Sequence, residues 1–561
     1  MNYLKLITTA FTSLLLLTAC NEEGKLSLSE RSVIYCAEGS PETFNPQLVT
    51  SATTIDATSN QLYDRLISYS GNDNKLSPAL AKSWQVSGDG KEVTFYLRED
   101  VPFHHTDDFM PSRLFNADDV VFSFRRVIDT EHPYHLISGG HYPFFQKVGF
   151  RALINNIEKV NNHTVRFHLS HADNTFLANI ATDFAVILSA EYAEQLIRQK
   201  AESNIDTHPI GTGPFKFKEY RVGSLIRFYR HDEYWQKPAQ IEQLVFDITS
   251  SNTGRLTKLL ANECDVVAYP IAHKKITQRS DLSLEAVTAL NVSYLGFNTR
   301  KAPFNNKLVR QAISYAINKK TLLEAVYQGK AEQANSLLPK TSWAYDDSIS
   351  AQKYDPVLAK KLLNLAGYSH GFIMELWAMP NQMPYNPNAM TMAKLIQKDL
   401  SKVNIKVNIV NYQRSTFLHQ LKRVEHQSFL LGWSADHPDP NNFFTPMLGC
   451  SAINTGSNAT LWCNQEYDAM IKKALQTTNI NQRKTYYAQA MAILTQEVPL
   501  IPIAHSKRYQ ARGNNVVGNI LAPFGGINFY RVSKTPIVNK KTIEPHSPLR
   551  IKSNIMNTGE N

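Results

Sequence analysis

Ser428-Phe429-Leu430-Leu431-Gly432-Trp433-Ser434-Ala435-Asp436-His437-Pro438-Asp439-Pro440 decides how the second half of this chain is built. The short apolar run closed by glycine predicts a buried strand over 428–432. Asp436 then falls in a loop just past the carboxyl end of that strand, the edge at which open α/β sheets bind ligands. A carboxylate there, beside the indole of Trp433, suits a ligand that carries a positively charged amine. Asp439 followed by Pro440 fits a helix N-cap and first helical position. That pair takes the turn and capping role, which leaves Asp436 without a structural task.

Outward from this stretch the pattern alternates. Strand 372–377, helix 389–403, strand 405–410 and helix 415–423 precede strand 428–432, which predicts right-handed crossovers and a parallel sheet. Asp355-Pro356 opens a further helix and Gly367 closes it. Lys307 to Tyr327 carries one apolar stripe and reads as a single helix. A late helix covers about 481–495, after which Val498-Pro499-Leu500-Ile501-Pro502 leads the chain away. The first third is rich in period-two strands, among them Val93–Leu97, Val165–Leu169 and Ile226–Phe228. Its clearest helix is capped by Asn116, with Asp118 and Asp119 in the positive first turn. Gly211-Thr212-Gly213-Pro214 is a tight turn that lacks nucleotide-fingerprint spacing.

With 561 residues, 43% hydrophobic and 19% charged, the chain has room for two or three domains of ordinary globular composition. Residues 1–19 have the layout of an export signal, with Lys5 before an apolar stretch too short to span a bilayer. Leu17-Thr18-Ala19-Cys20 resembles a lipobox, which makes Cys20 a candidate for lipidation; an ordinary signal with a chance cysteine is the alternative. Four cysteines remain, Cys36, Cys264, Cys450 and Cys463, an even number suited to an oxidising compartment, with three pairings open. None shows C-x-x-C spacing, which disfavours zinc. The formal charge of +10 owes part of its excess to the C-terminal segment, and 536–561 reads as a basic, disordered tail.

Catalytic signatures are missing. There is no G-x-S-x-G, no H-E-x-x-H and no complete P-loop. His104 and His105 are adjacent, so on a strand they point to opposite faces; both read as surface histidines.

The segments Tyr35–Gln47, Asn116–Phe124, Pro209–Phe215 and the Asp436 motif, in consistent order over about 31–530, resemble the dipeptide- and oligopeptide-binding proteins of ABC importers. Thr253–Val266 and Leu338–Asp346 are similar to the Sap subfamily, associated with resistance to antimicrobial peptides. The resemblance implies an α/β, two-lobed periplasmic binding protein fold of the large peptide-binding class, with mixed sheets and a hinge of two crossovers. Lobe I would take 31–290 with 508–535 returning to it, lobe II 291–507, and 20–30 would be a lipid-anchored linker. It further implies disulfides Cys36–Cys264 and Cys450–Cys463. Asp436 would hold the ligand's amine, lined by Gly432, Trp433, Met383 and Tyr385, with Ser51, Thr53 and Thr54 facing them from lobe I.

One departure from the family pattern matters. An arginine that clamps the ligand carboxylate in dipeptide binders is replaced here by Met383, so free dipeptides are expected to bind poorly. The implied protein is a periplasmic monomer with no catalysis and no resident cofactor. Its partners are a peptide, an inner-membrane ABC permease and, through lipid, a membrane; nucleic acid is not expected. Haem is the rival ligand, a polyanion attracted by the positive charge a further one, and an exported hydrolase the reading from another class. A net-basic protein repels cationic peptides, so such a ligand requires a locally acidic cleft.

Overall fold

The computed structural model describes residues 31–70, 75–350 and 352–535. The export signal, Cys20, the 20–30 linker and the 536–561 tail lie outside the described residues. The chain forms two lobes with mixed sheets. Lobe I is built on seven strands in the order Leu282–Thr288, Lys507–Gly513, Val266–Ala268, Ser32–Ala37, Gln243–Ile248, Leu225–Arg230, Phe215–Arg221. Ser32–Ala37 runs parallel to both its neighbours and the other pairs are antiparallel. A four-stranded antiparallel sheet packs in the same lobe, and its strands Glu92–Leu97 and Thr164–Leu169 bury every second residue as the period-two pattern requires. Helix Ala117–Ile128 starts at a capping box, Asn116 accepting from Asp118 N while Asp119 accepts from Asn116 N.

Lobe II holds six strands in the order Glu332–Gln333, Leu500–His505, Asn291–Phe297, Ser428–Ser434, Phe372–Ala378, Ile405–Asn411. Phe372–Ala378 is parallel to both its neighbours, as the alternation predicts. The sheet is nevertheless mixed, because Asn291–Phe297 pairs antiparallel with Ser428–Ser434 and with Leu500–His505. The proline-flanked segment expected to lead the chain away is therefore a sheet strand. Pro502 lies opposite Tyr294 beside a register shift, a place where a missing N–H is tolerated. The single helix expected over 307–327 is two, Lys307–Ala316 and Lys319–Tyr327, because Ile317 is extended and Asn318 caps the second. Helix Asn441–Leu448 begins with Pro440 at the cap; Asp439 still accepts from Asn441 N at 3.0 Å but spends its other oxygen on Arg483 at 2.8 Å.

The strand order places a reversal next to the Asp436 loop. From Phe372–Ala378 the chain crosses through helix Ala389–Ser401 to the strand on one side. It then returns through helix Arg414–Lys422 to Ser428–Ser434 on the other side. Right-handed crossovers in opposite directions put the two helices on opposite faces. Accordingly Met392 and Ile396 pack with Leu376 and Leu430, whereas Phe417 and Leu421 pack with Trp377 and Phe429. The crevice past the ends of Phe372–Ala378 and Ser428–Ser434 is thus a topological switch point.

Two crossings join the lobes, one between Thr288 and Asn291 and one at Ser506. They are clamped together: Asn291 Nδ2 donates to Ser506 Oγ at 2.8 Å, and Ser506 N donates to Asn291 Oδ1 at 2.9 Å. Cys36 lies beside Cys264 with Cα atoms 5.9 Å apart, and Cys450 beside Cys463 at 4.7 Å, the two pairs the resemblance implies.

Candidate functional site

The crevice opens into a cavity of about 570 Å³ between the lobes. Both loops at the switch point reach it. The 379–388 loop contributes Met383 and Tyr385, the loop after Ser428–Ser434 contributes Asp436, and lobe I supplies Ser51, Thr53, Glu38 and Asp56. Of the other residues expected at the site, Thr54 does not line the cavity. Its hydroxyl turns into lobe I, accepting from Glu42 N at 2.9 Å and lying 3.1 Å from Ser51 Oγ. Helical geometry separates neighbours by about 100°, so Thr53 and Thr54 of helix Ala52–Thr58 cannot both face out. Gly432 and Trp433 also stand behind the lining and support it. A methyl built on Gly432 would overlap Tyr385 Cγ, Cδ2 and Cε2, the farthest at 2.7 Å, so the bare glycine is what lets the tyrosine ring lie against the strand.

Asn442 organises the acid. Its Oδ1 accepts from Trp433 Nε1 at 3.0 Å and from the backbone N of Asp436 at 3.2 Å, so one side-chain oxygen holds the indole and the acidic loop together. The Asp436 carboxylate is already engaged. Lys147, the last residue of the lobe I helix Pro143–Lys147, places Nζ 2.7 Å from Asp436 Oδ2 and 4.4 Å from the Trp433 ring centroid. Sequence reasoning missed Lys147, and no local signal could have found it, since its partner is 289 residues away.

Beneath the loop, His437 is buried and its pKa falls to about 4, chiefly through burial. Asp439 pairs with Arg483, which also donates to Tyr487 Oη at 3.0 Å. On the lobe I wall, burial raises Asp56 to about 7 despite the nearby Arg508 and a hydrogen bond from Ile527 N; burial also raises Glu38. Asp183 pairs with Arg65 at 2.6 Å. Three arginines, Arg255, Arg414 and Arg508, line the cavity, and none makes an ion pair within 4 Å among the described residues. Arg508 donates to the carbonyls of Ala522 and Gly525, and Arg255 to those of Thr249 and Ser250. Arg414, at the start of helix Arg414–Lys422, is exposed, and its backbone N donates to Asn381 Oδ1 at 3.2 Å. Two of the cavity's four acids are therefore paired with cations and burial raises the other two, while the three arginines have no ion-pair partner among the described residues.

His104 is not a surface residue. It is fully buried, its Nε2 lies 2.9 Å from Gly213 O, and its ring meets His231 edge-on at 5.0 Å. The segment around it is irregular and is held by His104 N donating to Gly211 O, which turns the imidazole into the glycine turn. His105 is exposed. Among the described residues, no group of three or more His, Cys, Asp or Glu could hold a metal ion. No described helix is long and apolar enough to cross a membrane.

The sequence profile of the bacterial extracellular solute-binding proteins, family 5, matches residues 75–455. The chain is 43% identical to the dipeptide-binding protein of Escherichia coli K12, over 90% of this chain and 95% of the relative. It is 40% identical to heme-binding protein A of Haemophilus influenzae, covering 94% of this chain and 99% of that one. It is also 40% identical to the peptide transport periplasmic protein SapA of Salmonella typhimurium, covering 92% and 94%. Among solved structures, the dipeptide-binding protein of Pseudoalteromonas sp. SM9913 in complex with Met-Leu superposes with a TM-score of 0.84 at 48% identity, covering 90% of this chain and all of that one. The chain belongs to the bacterial extracellular solute-binding proteins of family 5.

Proposed function

We propose that this protein is the periplasmic, peptide-capturing subunit of an ABC importer, closing its two lobes on a short peptide and presenting the closed form to a membrane permease. The observation that carries this reading is the acid at the switch point. Asp436 stands at the carboxyl end of Ser428–Ser434, faces the inter-lobe cavity, and already holds an ammonium group against an indole. A peptide's N-terminus carries the same charge. Relatives named for dipeptide and peptide transport support the class.

The sheet supports a length. Asp436, the Met383 loop and Arg414 follow three successive strands, about 4.8 Å apart. A carboxylate clamp at 383 would stand one strand from the acid; Arg414 stands two strands away, roughly 10 Å, the reach of about three extended residues. With methionine at 383, the ligand is a tripeptide or slightly longer with a free carboxyl-terminus, and dipeptides are too short to reach both anchors. Against the Sap-type role, with cationic antimicrobial peptides as cargo, stand the three arginines that line the cavity. Lipid anchoring at Cys20 belongs to the same proposal.

Calorimetry with Ala-Ala and Ala-Ala-Ala tests the length, and Asp436→Ala tests the anchor. The tripeptide should bind at least tenfold more tightly than the dipeptide and be lost in the variant, with no cleavage by either protein. Equal affinity for both lengths overturns the ruler, and an unchanged variant overturns the anchor. Haem is the second reading. It is favoured by the arginines facing the cavity, which suit carboxylates, and by the thioether of Met383. A visible absorption band that appears on adding haem and is lost in Met383→Ala would support it.

A further inference from the structure

Lys147 occupies the place that the proposed ligand needs. Its stem rises from a rigid base: Phe144 and Phe145 of the same short helix are buried, and Phe144 stacks on Phe184 at 4.4 Å. Its ammonium lies 2.7 Å from Asp436 Oδ2, 4.4 Å from the Trp433 centroid and 5.6 Å from that of Phe144. Both charged side chains are mostly buried, at 16% and 19% exposure. Lys147 belongs to lobe I and Asp436 to lobe II, so the contact spans the cleft.

We propose that Lys147 is a built-in competitor for the ligand's ammonium group: it holds the lobes together across the cleft, and a peptide gains Asp436 only by displacing it. This rests on the peptide reading above and deepens it. The balance is governed by simple competition, in which apparent affinity falls by the fraction of protein whose subsite is free. A partly buried ion pair capped by a cation–π contact leaves about one subsite in ten free. Peptides therefore bind about tenfold more weakly than the bare subsite would allow, and a ligand with a blocked amine escapes the penalty because it leaves the lysine in place.

The test compares Lys147→Met, which keeps the stem and removes the charge, with Lys147→Arg, which keeps a cation. Ala-Ala-Ala and N-acetyl-Ala-Ala-Ala are titrated by calorimetry, and X-ray scattering measures the ligand-free radius of gyration. Lys147→Met should bind the free-amine peptide about tenfold more tightly than the parent protein, give the acetylated peptide no gain, and show a larger ligand-free radius. Lys147→Arg should behave like the parent. Weaker peptide binding by Lys147→Met, an equal change for both peptides, or an unchanged radius overturns the proposal. If neither protein binds any peptide but the radius still grows, the peptide reading fails while the latch across the cleft stands.

Discussion

Gly432→Ala puts a methyl group where the Tyr385 ring lies. The built Cβ overlaps three ring atoms, and relief requires the ring to move by roughly 1.5 Å toward ordinary contact distance. The backbone of the loop cannot follow. Met383 and Asn386 exchange two backbone hydrogen bonds at 3.0 Å, the Tyr385 carbonyl accepts from Tyr327 Oη at 2.8 Å, and the Pro384 carbonyl accepts from Ser506 Oγ at 2.7 Å. The ring must therefore swing into the cavity. Overpacking of this kind costs about 1–3 kcal/mol. Alanine gives back about 0.5–1 kcal/mol over glycine within a strand, and Gly432 has no left-handed backbone to strain. The net loss is about 1–2 kcal/mol, which for a body of about 500 residues moves the melting temperature by only about 1–2 °C. Urea titration is the better stability assay, and calorimetric affinity for Ala-Ala-Ala the sharper readout, expected to fall at least tenfold. Tyr385→Ala in the Gly432→Ala background removes every overlapping atom, so the two changes should couple by about 1 kcal/mol or more. Strictly additive effects, or a Gly432→Ala protein with parental stability and affinity, refute the steric account.

Two other outcomes follow from the charges. Burial holds His426, His437 and His505 near pKa 4, whereas the unfolded chain titrates them near 6.5. Between those values the unfolded state binds more protons, so stability falls as pH drops, by about 2 kcal/mol per histidine at pH 5. Asp56, raised to about 7, has the opposite sign over most of this window and offsets about one of the three. Urea midpoints at pH 7 and 5 check the sum, and an increase at pH 5 would contradict it. Arg414→Gln should weaken Ala-Ala-Ala about tenfold and leave its carboxyl-terminal amide unchanged, a charge-assisted contact being worth about 1.5–3 kcal/mol. Calorimetry decides, and equal losses for both peptides remove Arg414 from the carboxylate site.

How far the residues alone disclose this molecule depends on the range of the forces involved. The run from Phe372 to Ser434 was legible because each strand is a compact apolar block and helix Ala389–Ser401 is capped by Asn388, all of it local. The direction of Asn291–Phe297 was not. Every one of its residues is buried, and a strand covered on both faces reads the same whether its neighbours run with it or against it. The break at Ile317 was hidden for a different reason: the apolar stripe stays in phase across it, and only the cap at Asn318, which accepts from Thr321 N, betrays the interruption. At the site, Asp436 was visible through its position at the end of a strand. Lys147 and Arg414 were invisible, because a surface lysine and a helix-start arginine have no distinguishing local pattern until distant segments bring partners to them.

The hinge and the ligand loop share a hydrogen-bonded connection. Ser506 lies in one crossing between the lobes, where it pairs with Asn291 of the other crossing, and its hydroxyl donates to the carbonyl immediately before Tyr385. Rotation of the lobes therefore moves a group bonded to the loop that carries Met383 and Tyr385. Lys147 acts on the same rotation from the far side of the cleft, since breaking its pair with Asp436 releases one of the contacts that hold the lobes closed. The others include Asn174 to the Leu475 and Thr477 carbonyls, Asn252 to Gln382, and Lys330 Nζ to His273 Nδ1 at 2.8 Å; among the described residues none of them pairs a cation with a carboxylate. The ion pair is thus the inter-lobe contact that an ammonium-bearing ligand can exchange for an equivalent one. On the proposed reading, a peptide that brings its own ammonium would replace the lysine's contact with Asp436, and one that also reaches Arg414 would add a second anchor. Differential contact of that kind is what a ligand needs to shift a conformational equilibrium.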